Sequence, residues 1–328
     1  MPECSRVWAM AELPLLAVPN FSEGREPAVI EALERALEGA GSGEGRRDDD
    51  GSSSRPRLLD AHSDSDHNRS VFTLAGRGSE LVDAVIRAAA VAVEKIDVLG
   101  PAGEGHPQAG QHPRVGALDV APIVFADPSL RGPACAEALV LADRIAGELE
   151  IPVFLYGELT ASNGQPGRTR AELRRGGVAA LGRQMTGEGG ELAPDFGPPR
   201  LHPTAGATLV AAREPLVAFN LLLSPDSDLE RARAVASSIR EGGDRGLPGV
   251  RAMAVLLEGK GAQVSLNVER PLEIPLAEIV EAVRRQAPVA SAELVGLAPR
   301  AAMEGFPDDV PLQDYDPRRH LLENALRS

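Results

Sequence analysis

The sequence predicts an α+β protein made of two ferredoxin-like halves, each running β-α-β-β-α-β. Three observations carry this expectation. Strand-like and helix-like periodicities alternate in that order, the order occurs twice, and the stretch joining the two copies is rich in Gly, Pro and Arg. A hydrophobic fraction of 43% over 328 residues supplies apolar material for two cores, expected at 1–213 and 214–328.

In the first half, Leu13 to Val18 reads as a strand, and Pro27, suited to a helix's first turn, opens a helix with Val29, Ile30, Leu33 and Leu37 at helical spacing. Arg57 to His62 and Ser70 to Gly76 read as two strands. Ser79 starts a helix with Val82, Ile86, Ala89, Val93 and Ile96 on one stripe, and Ala117 to Val124 is the closing strand. A helix from about Ala134 to Leu149 and a strand from Pro152 to Tyr156 extend the unit. The segment 39–56, containing GSGEGRRDDDGSSSRP, has runs of like charge and no apolar anchor, so it is expected to be a disordered surface excursion.

The second half repeats the order: strand Leu216 to Leu223, helix Asp226 to Arg240, strands Val250 to Leu257 and Ala262 to Val268, helix Pro275 to Gln286, strand Glu293 to Leu297. Gln263, Ser265 and Asn267 alternate with Val264, Leu266 and Val268, giving one polar strand face that either lines a cleft or meets solvent. Gly157 to Arg213 reads as connecting structure too polar to be core. Loops held between rigid sheets are a common place for ligand contacts.

The balance of 34 Lys+Arg against 48 Asp+Glu, a formal charge of -14, repels a phosphate backbone and argues against nucleic acid. A small anionic ligand stays compatible, because a local basic cluster dominates inside a cleft. No run reaches the roughly 18–20 apolar residues of a membrane helix, and the start, with Glu3, Glu12 and Pro14, lacks a signal peptide's regions. A cytoplasmic location without membrane attachment is expected. Cys4 and Cys135 provide neither a disulfide framework nor a zinc spacing.

Four patterns carry chemistry: VPNFSEGR at 18–25, DAHSDSDHNRS at 60–70, GQHPRVGALDV at 110–120 and PDFGPPRLHPTAGAT at 194–208. Together, in this order, they resemble the formiminotransferase family, and the resemblance runs from about Leu13 to the C-terminus. It implies two ferredoxin-like subdomains with a substrate channel between them, a homodimer, and a folate-dependent reaction. A formimidoyl group passes from N-formimidoyl-L-glutamate to N5 of tetrahydrofolate, in histidine degradation and one-carbon metabolism. Tetrahydrofolate, mono- or polyglutamyl, is then the co-substrate, with no metal. The family's cyclodeaminase activity occupies a separate helical region for which 328 residues leave no room, so a separate protein is expected to supply it.

The resemblance assigns the catalytic acid/base to His112, in the family's G-x-H-P-R motif. The chemistry agrees: N5 must lose a proton and the departing glutamate nitrogen must gain one near neutral pH, and an imidazole suits both. Pro113 restricts His112 to extended conformations that can aim the ring from a loop. His106 sits in a similar context but lacks the Arg-x-Gly-Ala-x-Asp continuation, and Gln111 stands where several relatives carry an acidic residue. By the same resemblance, Gly197, Pro198, Pro199, Arg200, Leu201, His202, Pro203, Thr204, Ala205 and Gly206 hold the folate. Asn68 and Arg69 offer an amide and a guanidinium to a substrate carboxylate, with Arg114 assigned beside them. Arg168, Arg170, Arg174 and Arg175 either meet the folate's glutamate tail or are solvated. Asp60, His62, Asp64, Asp66 and His67 form a polar turn whose residue types also suit a divalent metal or simple backbone bonding. Three rivals remain: formyl transfer from N-formylglutamate, a folate-binding protein without catalysis, and a metal-dependent hydrolase.

Overall fold

The computed structural model describes residues 14–39, 55–100, 113–162, 167–187, 192–257 and 259–328. His106, Gln111 and His112, and 40–54 of the expected excursion, lie outside the described residues.

The chain forms an α+β protein with two sheets. The first contains β1 (Leu15–Ala17), β2 (Asn20–Phe21), β3 (Arg57–Asp64), β4 (Arg69–Gly76), β5 (Leu118–Val124), β6 (Val153–Leu155) and β7 (Thr208–Arg213). β3 pairs with β4, β4 with β1 and β2, and these with β5, all antiparallel. β7 then joins β5 and β6 in parallel. β1 falls inside the expected first strand, and Pro19, which has no N–H to give a ladder, separates it from the further short strand β2. Its carbonyl still accepts from the Phe72 N–H at 3.1 Å, so the VPNF motif stays bound to β4 through the kink.

Helices α1 (Pro27–Glu38), α2 (Gly78–Lys95) and α3 (Arg131–Leu149) contribute to a core with Phe21, Phe72 and Leu74 of this sheet. Pro27 opens α1 as its sequence predicts, and Gly39, at φ 72°, closes it in the left-handed conformation. Leu33, Leu37, Leu81, Val85, Leu141 and Ile145 are fully buried. Each such side chain contributes about 1.5–3 kcal/mol of transfer free energy.

The stretch Gly157 to Arg213 is not the polar connection expected. It holds α4 (Arg170–Leu173), α5 (Gly177–Met185) and β7, of which Thr208 to Ala212 are buried. The run TLVAA belongs to a strand flanked by parallel neighbours, and such strands read as continuous apolar runs rather than alternating ones. Leu173 and Leu181 pack with Phe154, Tyr156 and Leu209 in a core of their own.

The second sheet contains β8 (Val217–Leu223), β9 (Val250–Leu257), β10 (Gly261–Val268), β11 (Val289–Val295) and β12 (Leu312–Gln313), in the order β12-β11-β8-β10-β9. Helices α6 (Leu229–Ile239) and α7 (Leu276–Arg284) close its core around Phe219, Leu221, Val264, Ile279 and Val283. β11 starts earlier than the expected last strand and carries an irregularity between Val289 and Ser291. Four strands share one order in both sheets: β3, β4, β1/β2, β5 in the first and β9, β10, β8, β11 in the second. At the C-terminus, α8 (Pro317–His320) and α9 (Leu322–Ala325) bring Leu322 against Leu16, Ala75 and Val124 of the first sheet. Among the described residues, no helix is long and apolar enough to cross a membrane.

Candidate functional site

Residues of both sheets line one cavity, which holds about 1150 Å³ of atom-free space counted out to its open mouth. Strand alternation decides which side chains reach it. On β4, Phe72 and Leu74 go to the core while Arg69, Val71 and Thr73 line the cavity. On β8, Phe219 and Leu221 go inward, leaving Ala218 and Asn220 as wall; on β10, Ser265 and Asn267 do the same. The polar face expected on β10 therefore lines a cleft, except that Gln263 lines a smaller cavity beside it.

The larger cavity is rich in positive charge. Arg69, Arg170, Arg174 and Arg213 line it, together with the Asp64 carboxylate and the imidazoles of His62 and His67. Asn20 accepts a hydrogen bond from the Arg69 guanidinium, and its own amide donates to the Val18 carbonyl at 2.8 Å, which orients Arg69. Burial, reinforced by the neighbouring charge of Arg174, brings the Arg69 pKa down to about 9 despite the opposing pull of Asp119. Burial likewise brings Arg213 down to about 10. Both remain protonated at neutral pH, but crowded guanidiniums in a desolvated wall favour an anion among them.

Two of the sequence motifs interlock at the cavity's edge. The Glu23 carboxylate accepts from the N–H groups of Gly24, Arg25 and Glu26 at 2.9, 2.8 and 3.1 Å, fixing the start of α1. A Cβ on Gly24 would overlap the Asp64 carbonyl oxygen and the Arg69 N–H, so only glycine lets the two segments meet. In the 60–70 turn, Asp64 caps the Asp66 and His67 N–H groups and its second oxygen lies 2.6 Å from His67 Nδ1. Burial alone would raise the Asp64 pKa, but the hydrogen bonds from His67 and Asp66 outweigh it and hold it at about 2. Asn68 is fully buried at φ 46°, its side-chain oxygen accepting from the Gly24 N–H at 2.9 Å. Arg114 donates to the His67 and Asn68 carbonyls at 2.7 and 3.2 Å.

Asp119, at the end of the His-Pro-Arg motif, does a second structural job. One oxygen accepts from the Val115 N–H at 2.8 Å and the other bonds Arg174, an ion pair whose members are 3% and 4% exposed. Burial pushes the Arg174 pKa down and the Asp119 charge opposes that. The neighbouring Gly116 runs so close to the 205–207 backbone that a Cβ there would overlap the Ala207 carbonyl oxygen.

The 197–206 loop folds against this segment, outside the walls of the large cavity. The Ala117 N–H donates to Ala205 and the Ala207 N–H to Val115, both at 2.9 Å, and His202 and Gly206 exchange backbone hydrogen bonds. His202 Nδ1 accepts from the Ala205 N–H at 3.0 Å, so its ring shapes the loop. Burial pushes the His202 pKa down. Of the other sequence candidates, Arg69, Arg170 and Arg174 line the cavity, Arg168 pairs with Asp195, and Arg175 is exposed. Asn68 and Arg114 lie behind the turn, bonded to backbone. Asn20, Arg213, Asn220 and Glu293 were not singled out by sequence; strand alternation applied to β8 and β11 would have pointed to the last two. Among the described residues, no group of three or more His, Cys, Asp and Glu side chains is placed to hold a metal ion.

Fold and site together define an α+β protein with an arginine-walled cleft between two sheets. Residues 15–213 match the family model described as the formiminotransferase domain, N-terminal subdomain. The chain is 35% identical over 321 residues to the glutamate formimidoyltransferase of Streptococcus pyogenes serotype M1, covering 94% of this chain and 97% of that one. It is 33% identical over 293 residues to the glutamate formimidoyltransferase of Thermoplasma acidophilum, covering 87% and 88%. Against the formimidoyltransferase-cyclodeaminase of Sus scrofa it is 36% identical over 304 residues, covering 87% of this chain and 50% of that one, so it spans about half that relative's length. The chain belongs to the formiminotransferase family.

Proposed function

We propose that this protein transfers the formimidoyl group of N-formimidoyl-L-glutamate to N5 of tetrahydrofolate, with His112 as acid/base. The observation that carries this reading within the family is the cluster of guanidiniums in the cleft, which suits the carboxylates shared by the donor and by the folate's glutamate tail. N5 attacks the formimidoyl carbon and a C–N bond forms; the bond from that carbon to the glutamate nitrogen then breaks. His112 takes the N5 proton and returns one to the glutamate nitrogen, leaving glutamate and 5-formimidoyltetrahydrofolate.

The chain that follows His112 supports its place. Arg114 is fixed to the 67–68 carbonyls and Val115 to Asp119, beside a turn that lines the cavity. The 197–206 loop, pinned to residues 115–117 with Pro199, Arg200 and Pro203 exposed, is the folate contact in this reading. Arg69 meets a donor carboxylate, while Asn68 and Arg114 position the turn. The shared strand order supports a ferredoxin-like topology for each half, with the boundary near Arg213. The motif resemblance supports a homodimer.

The test is to measure transfer and folate binding separately in His112→Ala and His106→Ala. The first variant is expected to lose about 10²- to 10⁴-fold in rate while still binding tetrahydrofolate, and the second to keep its activity. Near-normal turnover by folded His112→Ala protein would overturn the mechanism.

A further inference from the structure

A formimidoyl group differs from a formyl group chiefly in charge: an amidine is protonated at neutral pH and an amide is not. The arginine-walled cavity has Asp64 as its carboxylate, already engaged by His67 and backbone N–H groups, whereas the smaller cavity beside it offers more to that positive charge. The smaller cavity holds about 620 Å³ of atom-free space, counted the same way, and shares Asp64 and Asn220 with the larger as walls. Its charge has the opposite sign, with the carboxylates of Asp64, Asp66 and Glu293 against the ammonium of Lys260.

Among the described residues, Glu293 is the one of these carboxylates with neither a close cation nor a backbone N–H bonded to it. Asp64 is engaged by His67 and by two backbone N–H groups, and Asp66 lies 2.7 Å from Lys260. Glu293, on β11, accepts one hydrogen bond, from the Asn220 amide to Oε2 at 2.9 Å, and Asn220 is itself held by Ser265 at 2.7 Å. Its Oε1 lies 4.0 Å from His62 Nε2, beyond hydrogen-bond reach. On the small cavity's wall Gln263 Nε2 is buried without a hydrogen-bond partner among the described residues, and so is His62 Nε2 on the wall of the larger cavity. Gln263 is 4% exposed and lines the small cavity with Glu293. A buried amide N–H left without a partner is costly, which marks this wall as one completed by a ligand that carries a hydrogen-bond acceptor as well as the cation Glu293 calls for.

We propose that Glu293 seats the positively charged formimidoyl group of the donor, whose carboxylates lie toward the arginines, and that this pairing selects formimidoyl over formyl. The proposal rests on the reading of the site as a formimidoylglutamate site. An amidinium N–H donates to Oε1 in a charge-assisted hydrogen bond, stronger than a neutral one. A formyl oxygen there would set acceptor against acceptor. Glu293 also favours the protonated amidine, whose carbon is the better target for N5.

The experiment compares N-formimidoylglutamate and N-formylglutamate as donors, with tetrahydrofolate, for the unmodified protein, Glu293→Gln and the charge-retaining Glu293→Asp. The unmodified protein is expected to favour the formimidoyl donor. Glu293→Gln is expected to lose about 10- to 100-fold in kcat/KM with that donor and far less with the formyl donor, and Glu293→Asp to keep part of the preference. Tetrahydrofolate binding reports whether each variant is folded. An unchanged preference in Glu293→Gln would overturn the role of Glu293 while leaving the transfer reaction standing; failure of the unmodified protein to use either donor would overturn the site reading itself. Should the glutamine variant not fold, competition between the two donors on the unmodified protein decides, and equal affinities would count against the proposal.

Discussion

Removing the Asp119 carboxylate separates its structural work from the binding work of its partner. Asp119 and Arg174 are almost wholly enclosed, at 3% and 4% exposure, and the second Asp119 oxygen caps Val115. Breaking a buried ion pair by deleting one partner leaves a charge unpaired in a poorly solvated site, which costs about 3–5 kcal/mol. Losing the Val115 cap adds about 1 kcal/mol. Asp119→Ala is therefore expected to lose about 4–6 kcal/mol, a large share of the roughly 5–15 kcal/mol typical of a domain. Asp119→Asn keeps an oxygen for Val115 and should lose about 1 kcal/mol less. In the double variant Asp119→Leu with Arg174→Met, both charges go together, so most of the stability should return while one cavity guanidinium is missing and donor affinity falls. Urea unfolding followed by circular dichroism measures the first effect and donor binding the second. A loss under about 1 kcal/mol in Asp119→Ala, or no recovery in the double variant, would refute the buried-pair argument.

Two other outcomes follow from the site. The Asp64 pKa is lowered from 3.8 to about 2, so its ionised form stabilises the fold fully above about pH 4 and that contribution fades as pH falls toward 2. The stability gap between the unmodified protein and Asp64→Asn should thus be flat above pH 4 and narrow below it in urea titrations; a gap independent of pH would contradict the hydrogen-bonded assignment. Arg170 lines the cavity whereas Arg168 is tied to Asp195 and Arg175 is exposed. Arg170→Ala should therefore erase a several-fold affinity advantage of polyglutamyl over monoglutamyl tetrahydrofolate at low salt, an advantage that high salt itself should shrink. An equal loss in Arg175→Ala would show that the tail runs over the surface instead.

The order of strands and helices, and the polar face of β10, were legible in the sequence because side-chain periodicity is a local property of the chain. So were the four motifs, and with them the family and the candidacy of His112. The buried strand β7 was not, because its run of five apolar or small residues sits inside a polar, Gly- and Pro-rich stretch. Its neighbours β5 and β6, which give that run its place, lie far away in sequence. Nor could sequence divide the arginines. Arg69 and Arg174 face the cleft and Arg114 is spent on carbonyls, a division set by backbone positions brought together from distant parts of the chain.

The same reason explains the residues that emerged only from the structure. Asp119 stands 55 positions from Arg174, and Glu293 lies 73 from Asn220, with His62 from the other sheet beyond it. What an ionisable side chain does depends on its desolvation and on the charges packed against it, and neither exists until the two sheets face each other. Sequence determined the elements and the chemistry they carry; the meeting of the two sheets decided which of those groups share a cleft, and which were left to hold it open.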